Sequence, residues 1–81
     1  MEVRVKLFTV LKEKAAREEI LLAMSKGSSC REVLLRLKSL FGFSDSILER
    51  SLVAINGVYA DRSTVLTGGE EIAILPPVSG G

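Results

Sequence analysis

The sequence predicts an α+β fold, one mixed sheet packed on one main helix, and three local patterns carry that prediction. Ser29-Cys30-Arg31-Glu32 is a capping box, with Ser at the N-cap and Glu three residues on, and it opens an amphipathic stretch that ends at Gly42. Val3, Val5 and Leu7 alternate with Arg4 and Lys6 near one end of the chain, and Ile72 to Leu75 is an apolar run near the other. Asn56-Gly57 separates Leu52–Ile55 from Val58–Ala60, and both turn residues tolerate the positive φ that a tight hairpin needs. A sheet covered by one helix is the simplest arrangement that buries a single helix stripe.

The first strand continues to Phe8, after which Thr9 is expected to cap a short helix from Val10 to Arg17. Glu19 to Met24 reads as a second strand with Ile20, Leu22 and Met24 on one face, and Lys26-Gly27-Ser28 as a turn. In the main helix Val33, Leu34, Leu37, Leu40 and Phe41 form the apolar stripe, while Glu32 and Arg36 stand four apart on the wet side. Ser44 to Ser51 reads as another short helix. Leu52–Ile55 is a strand that returns briefly through Val58-Tyr59-Ala60. Thr67-Gly68-Gly69 is a tight turn into a last strand from Glu70 to Leu75. The first two strands form a hairpin with a helical detour, and the main helix crosses from the second strand to a later one.

Eighty-one residues make one small domain, and a chain of this size must have an apolar-rich core because it buries only about 60–65% of its unfolded surface. With no Trp, one Tyr and three Phe, that core falls to Val, Ile and Leu. A net charge of +1 gives no electrostatic case for nucleic acid. The charge is nevertheless uneven: every Lys and Arg lies at or before Arg62, and only Glu70 and Glu71 carry side-chain charge beyond it. One cysteine, Cys30, excludes an internal disulfide and fits a reducing compartment. The first residues alternate like a strand and hold no apolar signal core, and no run approaches the ~18 apolar residues of a membrane span. The expectation is a soluble, cytoplasmic protein.

The side chains hold little chemistry. There is no histidine, so Ser-His-Asp and Cys-His sites are excluded, and Cys30 alone makes no zinc site. Cys30 stands in the first turn of a helix, where a thiolate is favoured, but a small filler residue is the simpler reading. Glu70 and Glu71 are adjacent in the predicted strand and point to opposite faces, so they are no acid–base pair. Asn56 and Tyr59 read as turn and packing residues. No metal site is predicted.

The remaining chemical group is the Gly81 α-carboxylate. Residues 1–75 read as the domain and residues 76–81 as an extended tail: Pro76 and Pro77 fix φ and favour extended geometry, Val78 keeps β character, Ser79 is small, and Gly80 and Gly81 remove all bulk beside the carboxylate. Fully extended, the tail spans about 20 Å at roughly 3.3 Å per residue, enough to enter a narrow site on another protein. The carboxylate is ionised at neutral pH and a poor electrophile. It becomes an acyl donor only if activated, most simply as a mixed anhydride with a nucleotide phosphate supplied by a partner.

The run from Leu66 to Gly81 closely resembles the C-terminus of the sulfur-carrier subunits of molybdopterin synthase, ubiquitin-like proteins of the β-grasp fold. Gly69, Glu70, Glu71, Ala73, Pro76, Pro77, Val78, Ser79, Gly80 and Gly81 fit that family's pattern, and Leu7-Phe8 and Val53-Ala54-Ile55-Asn56-Gly57 are similar too. Ile74 and Leu75 depart from it, since an aromatic is common there. The resemblance implies that an E1-like enzyme adenylates Gly81 with ATP and that a sulfur donor protein converts the adenylate to a thiocarboxylate. The loaded tail then enters the large synthase subunit, in a heterotetramer, and gives its sulfur to precursor Z. The large subunit supplies the catalytic lysines, and this chain holds no permanent cofactor. Two other uses share the same activation: a protein modifier joined to lysines through Gly81, and a sulfur carrier of thiamine synthesis or tRNA thiolation. Pro-Pro before the glycines speaks against the thiamine carrier. A plain binding module with an inert tail is the reading that needs no ATP.

A carrier must also be held by its body. Ile72 and Ile74 share one strand face and are expected under the helix, whereas Leu75 falls on the uncovered face with Phe8, as a partner-docking patch.

Overall fold

A computed structural model describes residues 1–77. Its elements follow the predicted order: β1 (Glu2–Leu7), α1 (Thr9–Ala15), β2 (Glu19–Ala23), α2 (Cys30–Phe41), α3 (Asp45–Arg50), β3 (Leu52–Ile55), β4 (Val58–Tyr59) and β5 (Glu71–Leu75). The strands form one sheet in the order β2-β1-β5-β3-β4. β1 and β5 are parallel and every other neighbouring pair is antiparallel, so the sheet is mixed. This is the β-grasp arrangement.

Alternation decides which face α2 covers. Val3, Val5 and Leu7 of β1, Ile72 and Ile74 of β5 and Val53 of β3 form a continuous buried layer with Val33, Leu34 and Leu37 of α2. Register places Ile74 opposite both Leu7 and Val53, and Ile72 opposite Val5 and Ile55, so the central strand pins the core from both sides. Ser29 caps α2 by accepting from the Glu32 amide, and the Glu32 carboxylate accepts from the Ser29 amide, the reciprocal exchange of a capping box. Gly42 closes the helix at φ 69°, a conformation that costs glycine nothing.

Several expectations need correction. Thr9 does not cap α1: Phe8 occupies the N-cap without a side-chain bond, and Thr9 has φ 46°, a rare and costly conformation for a β-branched residue. α1 ends at Ala15, not Arg17, because Ala16 adopts the left-handed conformation and donates its amide to the Glu13 carbonyl. Leu40 is 49% exposed, whereas Phe43, just beyond α2, is buried in the core and stacks on Phe41 with ring centroids 5.5 Å apart. Glu32 and Arg36 form no ion pair among the described residues, because the Glu32 carboxylate is engaged at the cap. Glu70 lies before β5 rather than in it.

The segment from Arg62 to Leu66 is an element that periodicity does not reveal. The Thr64 and Arg62 carbonyls accept from the Cys30 and Arg31 amides, satisfying the first turn of α2, and Leu66 is buried beneath.

Candidate functional site

The uncovered face of the sheet has two chemically different ends. At one end Arg4 stands 3.8 Å from the Glu19 carboxylate and 3.7 Å from that of Glu71, and Lys6 stands 3.6 Å from Glu71. These residues share a face because each is one step out of phase with the core positions Val3, Val5 and Ile72. The charges are half-exposed and pair with one another.

At the other end the same alternation delivers apolar side chains. Leu75 pairs with Leu52, Ala73 with Ala54, and Ala54 with Tyr59. Phe8 follows Leu7, the residue opposite Ile74, and so enters the row that ends in Leu75. Leu52 is 56% exposed and Tyr59 70%, so Tyr59 is a surface residue rather than a packing one. Phe8, Leu52, Tyr59, Leu75, Pro76 and Pro77 line an open hollow of about 600 Å³, joined at its rim by Thr9 and Arg50. Phe8 and Leu75, foreseen as the docking pair, are thus brought together. Of the predicted tail, Pro76 and Pro77 lie on this hollow, and Val78, Ser79, Gly80 and Gly81 fall outside the described residues.

Two clamps set the direction in which β5 reaches the hollow. The Glu70 carboxylate accepts from the Thr67 amide (2.7 Å), the Thr67 hydroxyl (3.1 Å) and the Gly68 amide (2.6 Å). These bonds, that from the Thr67 amide foremost, hold its carboxyl below the usual carboxylate range. Within this turn Gly68 has φ 109°, and a Cβ there would meet the Met1 side chain at 3.4 Å. The second clamp is Asn56, which at φ 50° makes the hairpin turn and accepts the Glu71 amide on its side-chain oxygen at 3.0 Å. Both were missed by a reading that gave Glu70 to the strand and Asn56 to the turn alone. The Thr67-to-Glu70 spacing, the same as in a capping box, was the available signal.

Other candidates contribute no reactive group. Cys30 is buried, and burial foremost, with the nearby Glu70 charge next, pushes its thiol pKa up, in keeping with a small filler residue rather than a thiolate. Among the described residues no group of three or more His, Cys, Asp or Glu could hold a metal ion. No described helix is long and apolar enough to cross a membrane. Among the described residues, the exposed apolar hollow at the end of β5 is the feature that sets this face apart.

A family model described as the ThiS family matches residues 5–81. The chain is 36% identical over 81 residues to the molybdopterin synthase sulfur carrier subunit of Dictyostelium discoideum, covering 96% of this chain and 94% of that protein. The solution structure of small archaeal modifier protein 1 from Methanosarcina acetivorans is similar, with 33% identity, a TM-score of 0.79, and coverage of 99% of this chain and 96% of that one. A chain in the complex of subunits 1 and 2 of the molybdopterin-converting factor from Helicobacter pylori has 28% identity and a TM-score of 0.65, with both chains covered completely.

Proposed function

The chain belongs to the ThiS family, and from that premise we propose that it is the sulfur-carrier subunit of a molybdopterin synthase, with residues 76–81 as its working tail. The observation that carries this reading is the coincidence of the tail root with the apolar hollow: Leu75, Pro76 and Pro77 both line the hollow and lead into the Gly-Gly segment. A partner seated on Phe8, Leu52 and Leu75 thereby receives the tail at a fixed origin. The relative named as a molybdopterin synthase sulfur carrier subunit supports the assignment, as does the resemblance to a chain in a two-subunit converting-factor complex.

The chemistry is acyl activation followed by sulfur exchange. An oxygen of the Gly81 carboxylate attacks the α-phosphate of ATP on an E1-like partner, releasing pyrophosphate and leaving an acyl adenylate. A persulfide on a donor protein then attacks the acyl carbon and AMP departs, leaving an acyl disulfide; a second thiol attacks the donor-side sulfur, forming a disulfide with the donor and releasing Gly81 as the thiocarboxylate. Gly80 and Gly81 place no side chain in the way of these attacks. The large synthase subunit receives the loaded tail and directs its sulfur to precursor Z. ATP is thus a co-substrate held by the partner rather than by this chain.

Removal of Gly81 tests the assignment. The truncated protein is expected to keep its circular dichroism spectrum and to lose both adenylate formation with its cognate activating enzyme and support of molybdopterin synthesis. Undiminished synthesis by the truncated protein would refute it.

A second reading draws on the likeness to small archaeal modifier protein 1. The same adenylate can pass Gly81 to a lysine amine, and conjugation to proteins would appear as a ladder of tagged species in cells.

A further inference from the structure

Resting on the docking role proposed for the hollow, we infer that Arg50 is a specificity-determining contact: it pairs with a carboxylate that the large synthase subunit presents beside its apolar contact. Among the described residues, Arg50 is the only charged one lining the hollow. It ends α3 and is exposed.

A basic residue in the last turn of a helix ordinarily serves the helix carbonyls. Here that work is done by other groups. The Arg62 guanidinium donates to the carbonyls of Leu48, Glu49 and Ser51, each at 2.8 Å, and the Ser51 hydroxyl donates to that of Ile47 at 2.6 Å. Arg50 also takes part in none of the ion pairs or side-chain hydrogen bonds among the described residues. The neighbouring Glu49 is adjacent in sequence, and successive helix residues do not face each other. The acids of the same sheet face, Glu19 and Glu71, are engaged by Arg4 and Lys6 at the far end. An uncommitted guanidinium at the edge of an apolar floor matches an acidic group at the edge of an apolar projection.

The charge complementarity makes a kinetic prediction. Rim charges act mainly on the association rate and are screened by salt, whereas the apolar floor acts at every ionic strength. Binding of the full chain to the large synthase subunit from the same source would be followed by stopped flow at low and high salt, for wild type, Arg50→Glu, Arg50→Lys and Leu75→Asp. Arg50→Glu is expected to slow association roughly tenfold at low salt, with the gap closing at high salt, and Arg50→Lys to stay near wild type. Leu75→Asp is expected to weaken binding at both salts. If Leu75→Asp weakens binding while Arg50→Glu matches wild type at low salt, the Arg50 contact is overturned and the docking face stands. If Leu75→Asp binds like wild type, the docking face itself is overturned. Circular dichroism of each variant confirms the fold, which Arg50 does not touch.

Discussion

The two ends of the uncovered sheet face are built by one alternation on the same strands, yet they behave as different surfaces. At the Arg4 end, cations and carboxylates satisfy one another within the chain. At the Leu75 end, Phe8, Leu52 and Tyr59 stand exposed around a hollow, and nothing in the described chain covers them. Strand alternation specifies only which residues leave the core; side-chain chemistry specifies whether the face they form is finished. A self-paired charged end keeps that part of the sheet solvated, whereas an exposed apolar end is the kind of surface on which the proposed docking rests.

Two consecutive residues of β5 face opposite sides of the sheet and are expected to respond very differently to truncation. Ile74 is fully buried and Leu75, one residue on, lines the hollow. Ile74→Ala is expected to cost about 3 kcal/mol of folding stability, and Leu75→Ala about 1 kcal/mol or less. Urea titration measures both, and equal losses would place Leu75 in the core.

The tail root provides a second, intermediate test. Prolines restrict the free ensemble, so replacing Pro76 and Pro77 together by Gly adds an ordering cost of about 1–2 kcal/mol on insertion, roughly tenfold in affinity. Isothermal titration against the large subunit reads this, and melting of the free domain is expected to change little. An unchanged dissociation constant would make the pair incidental to docking.

The smallest effects belong to the charged end and to the turn before β5. Glu71→Gln removes the partner of two exposed cations and is expected to cost no more than about 1 kcal/mol, with partner affinity unchanged. Glu70 differs because it holds a turn. Its pKa is lower folded than unfolded, so its stabilisation is present above the ordinary carboxylate value and is lost as pH falls through the folded value. Glu70→Gln should therefore melt below wild type at neutral pH, and the gap should shrink in acid, below about pH 4.5. A gap that persists undiminished in acid would separate the clamp from the carboxylate charge.

What the sequence made legible was local. Ser29 with Glu32, Asn56-Gly57 and the β1 alternation each encode their structure within a few residues, and each appears as read. Pairing of β1 with β5 brings together residues more than sixty positions apart, a juxtaposition that no window of sequence contains. The same holds for Arg62 reaching the end of α3 and for the Asn56 side chain reaching Glu71. Thr9 misled because its residue type suits a cap while its backbone is set by the corner out of β1. Of the candidate site, Phe8 and Leu75 were legible from strand phase. Leu52, Tyr59 and Arg50 were not, because they join the hollow only through the order of the strands.

Whether Gly81 carries sulfur can be read from the intact mass of the protein purified from its own cells. A population heavier by the exchange of one oxygen for one sulfur is expected, with fragmentation placing the change at Gly81. A wholly oxygen-bearing population in cells making molybdopterin, or Gly81 found only in amide bonds to protein lysines, would contradict it.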